Sequence, residues 1–312
     1  MLHLISLESW SSDLILEVLQ RAAEVKKNPA KYADAMKRKT LMMIFEKPSL
    51  RTRVSFETGA TQLGGHAIYY DLSTSPLSSG KENIADMIRV VSRYANIIMA
   101  RLFEQSHIEE MAKLSGIPVI NALTNYEHPC QILADLQTIQ EKKGRLKGLK
   151  LAYFGDGNNN VTHSLMFGCS KVGMHISVAC PKGDEYSPLE TVTESSMATA
   201  KQTGASITIT QDPVEAARDA DVLYTDSWMS YHIPAHKTEA RVKVFKPFQV
   251  NEALMKHANP DAIFMNCLPA VRGYEQTADV IDGPQSVVFD EAENRLHVQK
   301  AIMLKLLDEA GH

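Results

Sequence analysis

The stretch LMMIFEKPSLRTRVSFETGATQL, residues 41–63, decides the fold class. The apolar run 41–45 has the length and bounds of a buried strand, and the helical period from Val54 to Leu63 follows it after a short polar turn. The same alternation continues outward. Strand signals stand at HAIYYD (66–71), NIIMAR (96–101) and PVINA (118–122), separated by helical periods such as Ile84 to Tyr94 and Gln131 to Lys142. A second series begins after the polar segment EKKGRLKG (141–148), with strands at 149–156, 175–181, 206–210, 221–226 and 262–269. Alternating strands and helices imply a mainly parallel sheet. We therefore expect an α/β protein of two domains, 1–143 and 144–290, each a mainly parallel sheet flanked by helices. The amphipathic stretch from Glu291 to Leu307 is expected to be helical, so that 291–312 packs back on the first domain.

Size agrees with two domains, since 312 residues correspond to two cores at about 150 residues each. A net charge of −4 gives no electrostatic footprint for nucleic acid or membrane surfaces, so charged ligands must be handled by local constellations. Cys130, Cys169, Cys180 and Cys267 lack the spacing of a zinc site or a disulfide framework, which fits a reducing compartment. The first twenty residues show neither a signal peptide nor a presequence, and no apolar run approaches the ~20 residues that span a bilayer. A cytoplasmic protein without metal or cofactor is expected.

In open parallel sheets, ligands bind beyond the carboxyl ends of the strands. Polar clusters stand at six such places: FEKPSLRTR, MAR, NYEHPCQ, GDGNNN, TDSWMS and NCLP. Ser49, Leu50, Arg51, Thr52 and Arg53 open a helix, where backbone N–H groups and the positive helix end favour an anion, and a guanidinium grips phosphate at two points. Ser49 reads equally as an N-cap with solvated arginines beside it. Arg101, directly after an apolar run, adds a second cation on the same rim. His128 and Gln131, in His-Pro-Cys-Gln, suit a carbonyl oxygen and an amide, although a lone histidine is more often structural. Asn160 and Asp226 are also common turn residues, and a lone cysteine such as Cys267 is usually a core residue.

Taken together, these segments resemble the aspartate/ornithine carbamoyltransferase family from about Leu41 to nearly the C-terminus. The resemblance implies that Ser49, Leu50, Arg51, Thr52, Arg101, His128 and Gln131 bind carbamoyl phosphate, with Cys267, the Leu268 carbonyl and Arg295 completing that site. It implies that Asn160, Asp226, Ser230, Tyr231 and Cys267 meet the amino acid, and GDGNNNVTHSL, DSWMS, NCLP and DEAENRLH look like the ornithine branch. The implied reaction is carbamoyl transfer from carbamoyl phosphate to the side-chain amine of L-ornithine, giving citrulline and phosphate, a step of arginine biosynthesis. Catalysis would rest on Arg51, Thr52, Arg101, His128, Gln131, Cys267 and Arg295. A homotrimer with shared sites is implied as well, because the family's counterpart of STSPLSSGKEN (73–83) enters a neighbouring subunit's site.

The sequence departs from the family pattern at four places. Leu50 replaces a threonine, Tyr231 and His232 follow Ser230 in place of Met-Gly, Asn266 stands where a histidine precedes Cys-Leu-Pro, and the loop 73–83 lacks a glutamine, leaving Lys81 or its serines to substitute. The altered residues after Ser230 keep putrescine or an acylated ornithine open as the amine. Leu50, Tyr231 and Asn266 motivate a noncatalytic carbamoyl-phosphate-binding relative. A dinucleotide oxidoreductase is suggested by AYFGDGNNN, which however lacks the glycine spacing that pyrophosphate needs.

Overall fold

The computed structural model describes residues 1–75, 81–229 and 234–311. By internal contacts the chain forms two compact units, one of Met1–Gln137 with Glu293–His312 and one of Thr138–Ala292. The division falls inside a helix, a few residues before the polar segment 141–148.

Unit 1 holds a parallel sheet of β1 (Thr40–Phe45), β2 (His66–Asp71), β3 (Ile97–Arg101) and β4 (Val119–Leu123), in the order β2-β1-β3-β4. Every residue of β3 and β4 is buried, as expected for parallel strands covered on both faces. Helices α1 (Ser12–Lys27), α2 (Leu50–Gln62), α3 (Ile84–Val91), α4 (Gln105–Leu114) and the first part of α5 (Pro129–Lys143) accompany it. α1 buries Ile15, Val18, Leu19, Ala22 and Val25, one face at helical spacing, and Ser11 caps it by accepting from the Leu14 N–H.

Unit 2 holds β5 (Lys150–Phe154), β6 (His175–Ala179), β7 (Ile207–Thr210), β8 (Val222–Thr225) and β9 (Ile263–Met265), all parallel, in the order β7-β6-β5-β8-β9. Its helices are α6 (Asn160–Val172), α7 (Glu190–Thr203), α8 (Pro213–Ala217), α9 (Thr238–Phe245), α10 (Glu252–Met255) and α11 (Ala278–Ile281). The last helix, α12 (Val288–Glu309), begins in unit 2 and from Glu293 onward belongs to unit 1. There it buries Val298, Ala301, Ile302, Leu306 and Leu307, while Arg21 and Glu17 of α1 pair with its Asp308 and Lys305 at 2.7 and 2.8 Å. The burial carries most of the stabilisation, because exposed ion pairs are worth at most about 1 kcal/mol each. The two-sheet α/β fold with a C-terminal helix returning to unit 1 is therefore as the sequence implied.

Element ends differ from the sequence reading in one instructive place. α2 starts four residues earlier than the hydrophobic period indicated, because Ser49 takes an extended conformation and its hydroxyl accepts the Thr52 N–H. Leu50 to Arg53 thus form the first turn of the helix, in keeping with the reading of this motif as a helix opening.

Each sheet has one switch point. In unit 1 the chain leaves β1 for β2 on one side and later occupies the other side with β3; in unit 2 it leaves β5 for β6 and β7, then returns to the far side with β8. Crevices therefore open beyond the ends of β1 and β3, and beyond β5 and β8, where ligands of such sheets bind.

Candidate active site

At the unit 1 switch point, Ser49 and Thr52 open α2, their hydroxyls 3.1 Å apart, and two guanidiniums converge on Thr52 Oγ1. Arg101, the last residue of β3, donates from 3.5 Å, and Arg295 of α12 donates from 3.4 Å. Both distances are at the long end for hydrogen bonds, so these contacts orient more than they bind. Arg295 is held more firmly from its other side, donating to Gln131 Oε1 at 2.6 Å while Gln131 Nε2 donates to Asp135 at 2.8 Å. With its amide in the orientation that satisfies both of its ends, Gln299 accepts from Arg295 at 3.0 and 3.1 Å and donates to Ser55. Arg101 and Arg295 are both almost fully buried, and buried guanidiniums favour an anion beside them.

His128 lies just before α5 and is buried in the same place. Its pKa is pushed well below the ordinary imidazole value, first by desolvation and then by the charges of Arg295, Arg101, Lys47 and Arg51. Four cations thus act on one imidazole, which stays neutral and keeps an N–H to donate. Lys47, absent from the sequence-based list, is buried, donates to Asn125 at 2.9 Å and sits 4.4 Å from the Phe103 ring centroid. Burial, followed by the charge of Arg101, lowers its ammonium to about 8. Burial also pushes the neighbouring Cys130 thiol up to about 12, so Cys130 is a core residue and not a nucleophile. Of the two helix-opening arginines, Arg53 is committed elsewhere: it pairs with Glu57 at 3.2 Å and stacks 4.0 Å over Tyr69. Arg51 remains the candidate. The Leu50 side chain is 76% exposed, so the residue offers the first turn its backbone N–H and no polar group.

At the unit 2 switch point a carboxylate, Asp226, is bonded by neutral groups. Asn159 caps α6, accepting from the N–H groups of Val161 and Thr162 at 2.7 and 3.1 Å, and its amide donates to Asp226 Oδ2 at 3.0 Å. Cys267, two residues beyond β9, donates from Sγ to Asp226 Oδ1 at 3.1 Å. Asn160 is the first residue of α6, beside this cluster in sequence. Leu268 follows with φ +55, a left-handed conformation that costs a non-glycine residue about 1–3 kcal/mol. Ser230 and Tyr231, with His232, lie outside the described residues, as do 76–80 of the loop 73–83.

Several supports of this cluster carry no signal in the sequence motifs. Asp156, buried after β5, receives Arg241 of α9 at 2.5 Å, and the same guanidinium donates to the Trp228 carbonyl at 2.8 Å. Desolvation raises Asp156 to about 6 despite the opposing charge of Arg241. The Glu275 carboxylate accepts from the N–H groups of Trp228 and Val271 at 3.3 and 3.0 Å, and burial raises its pKa. Gly155 is required by two facts together, a φ of +131 and the Trp228 indole 3.2 Å from where a Cβ would stand. Asn159 was accessible to sequence reasoning as an N-cap. Arg241 and Glu275 were not, since they meet Trp228 only through the fold. Among the described residues no cluster of His, Cys, Asp and Glu is arranged to hold a metal ion, and no helix is long and apolar enough to cross a membrane.

Unit 1 therefore presents buried cations around a helix start and a neutral imidazole, and unit 2 a carboxylate held by an amide and a thiol. Comparison with known proteins agrees with that division. Residues 2–141 match the family model for the carbamoyl-phosphate-binding domain of aspartate/ornithine carbamoyltransferases, and residues 147–306 match the model for their aspartate/ornithine-binding domain. The chain is 52% identical to the ornithine carbamoyltransferase of Bacillus subtilis over 305 residues, covering 97% of this chain and 93% of that protein. It is 49% identical over 302 residues to the anabolic ornithine carbamoyltransferase of Pyrococcus furiosus, covering 96% and 94%. The solved ornithine carbamoyltransferase structure from Pyrococcus furiosus superposes with a TM-score of 0.93 at 48% identity, covering 98% of this chain and 97% of that one. Fold, sequence motifs and family models over nearly the whole length leave no room for a dinucleotide-binding oxidoreductase, and the chain belongs to the aspartate/ornithine carbamoyltransferase family.

Proposed function

We propose that this chain transfers the carbamoyl group of carbamoyl phosphate to the side-chain amine of L-ornithine, giving L-citrulline and phosphate, in arginine biosynthesis. The observation that carries the reading is the crowding of Arg51, Arg101, Arg295 and Lys47 around neutral His128, the charge distribution a phosphate-bearing substrate needs. Asp226 in unit 2 supplies the complementary carboxylate for the α-ammonium of an amino acid, with Asn159 or Asn160 as an amide partner for its carboxylate. An acylated ornithine has no α-ammonium for Asp226, and putrescine has no α-carboxylate for the asparagine amide, so the two groups together favour free ornithine.

Attack by the neutral δ-amine on the carbonyl carbon forms a tetrahedral intermediate, and its collapse expels phosphate. Negative charge develops on the carbonyl oxygen and on the leaving phosphate, and the residues proposed to meet it are Arg51, Thr52, Arg101, Arg295 and His128. His128 serves as a neutral donor to the carbonyl oxygen, and Gln131 holds Arg295 in place. The amine, with an ordinary pKa of ~10.4 for the similar lysine group, must lose a proton before attack, and Cys267 is the residue proposed to meet it while Asp226 holds the α-ammonium at the other end of the substrate. The departing phosphate is the final proton acceptor.

The reading includes a homotrimer in which the loop 73–83, with Lys81, completes a neighbouring subunit's site. Leu50 and Val54, exposed apolar side chains one turn apart on α2, are residues that such an assembly would cover. A cytoplasmic setting is supported by four free thiols. The test is citrulline formation by purified protein with carbamoyl phosphate and ornithine, putrescine or N-acetylornithine. Turnover confined to ornithine supports the reading; turnover on another amine alone, or binding of carbamoyl phosphate without turnover, overturns it. Activity recovered by mixing Arg101→Ala subunits with subunits altered in 81–83 tests site sharing.

A further inference from the structure

Asn266 is fully buried at the end of β9, one residue before Cys267. Its backbone N–H donates to Glu291 Oε2 at 3.0 Å, its side-chain Oδ1 accepts the Leu268 N–H at 2.8 Å, and its Nδ2 donates to Gln276 Oε1 at 3.1 Å. Gln276 is also fully buried and reaches back to the Val271 carbonyl at 3.4 Å. The amide of Asn266 thus clamps the backbone on the far side of Cys267, where Leu268 occupies a region that non-glycine residues enter only with support. The thiol held between these clamped residues points at Asp226.

We propose that Asn266, paired with Gln276, is a positioning residue that sets Cys267 and the Leu268 backbone for the amine substrate, in a form that carries no titrating side chain; the inference rests on the carbamoyl-transfer reading above. A histidine at this position would supply one donor and one acceptor and would also ionise near neutral pH. Two amides supply the same bonds and do not titrate. The ionisable groups around the pair are Glu291 of α12, on the Asn266 N–H and bonded to Tyr224 of β8 at 3.2 Å, Glu275 of the turn 271–276, and Cys267 with Asp226 beyond β9 and β8. The bonds to the Asn266 side chain itself come from the Leu268 backbone and from Gln276.

The test compares Asn266→Leu and Asn266→His with wild type in the full-length protein, reading kcat, both KM values, the pH profile, and the rate at which iodoacetamide alkylates Cys267. Cys130, Cys169 and Cys180 are buried, so the alkylation reports Cys267. The leucine variant should lose about ten- to a hundredfold in kcat, the scale of a misplaced reacting group, with the carbamoyl phosphate KM within about twofold, and should change the alkylation rate at least about fivefold. The histidine variant should recover most of kcat above the ordinary imidazole pKa of ~6.5 and lose it below that value, an ionisation added to those that wild type shows. Should Asn266→Leu not fold, Gln276→Leu removes the clamp's acceptor, and a several-fold loss of kcat with a changed alkylation rate supports the proposal. A folded Asn266→Leu protein, or a folded Gln276→Leu protein where the first does not fold, with kcat within twofold of wild type and unchanged alkylation overturns it. If wild type makes no citrulline, the proposed function fails while alkylation still decides the positioning claim.

Discussion

The two switch points of this molecule are built alike and charged oppositely. Both lie where a parallel sheet reverses its strand order, and both are opened by a capped helix, Ser49 before α2 and Asn159 before α6. In unit 1 the cap is surrounded by buried cations. In unit 2 the cap's side chain binds a carboxylate, Asp226, while a second buried carboxylate on the same turn, Asp156, is offset by Arg241. The backbone scaffold thus fixes where a ligand binds, and a handful of side chains fixes its charge.

The contrast is broken most severely by Arg51→Ala. Loss of one charged donor to a developing oxyanion typically costs about 10²–10³ in rate, so kcat/KM for carbamoyl phosphate should fall by that order in steady-state assays, with the folded structure intact by circular dichroism. Next comes Asp226→Asn, which removes the charge proposed to pair with the α-ammonium. The ornithine KM should rise about ten- to a hundredfold while the KM for carbamoyl phosphate stays within about twofold. A comparable rise in both constants would mean that the charges of the two units are not assigned to separate substrates.

A sharper probe uses pH. The Lys47 ammonium is lowered to about 8 by burial and by Arg101, so it is charged below that value and loses its proton above it. The KM for carbamoyl phosphate should therefore rise as pH climbs through about 8, and Lys47→Arg, which stays charged, should flatten that rise by about three- to tenfold at the alkaline end. A profile identical in the two proteins would remove Lys47 from the cradle. The smallest effect belongs to Leu50→Thr. Because the Leu50 side chain is exposed and the substitution leaves its backbone N–H in place, a restored hydroxyl should improve the carbamoyl phosphate KM by no more than about threefold.

Local periodicity made the sheets legible: strand signals at 41–45, 66–71 and 96–101 correspond to β1, β2 and β3, and the run 291–307 to most of α12. The longer apolar run 262–269 was misleading in extent, since only Ile263–Met265 pairs and the following residues turn away through Leu268. The unit 1 half of the candidate site was legible because its residues follow strand ends in recognisable clusters. Arg295 came only through the family resemblance, as it reaches Thr52 and Gln131 from the far end of the chain. The supports of unit 2 were illegible for a different reason. Arg241, Glu275 and Gln276 act on backbone groups of Trp228, Val271 and, through Asn266, Leu268, and backbone partners leave no pattern in a sequence.

The central claim is that the anion belongs to unit 1 and the amine to unit 2. It is tested most directly by calorimetric titration of a stable phosphonate analogue of carbamoyl phosphate into wild type, Arg51→Ala and Asp226→Asn. The account predicts affinity within about threefold of wild type for Asp226→Asn and a loss of at least about thirtyfold for Arg51→Ala. Undiminished binding by Arg51→Ala, or a loss confined to Asp226→Asn, would contradict it.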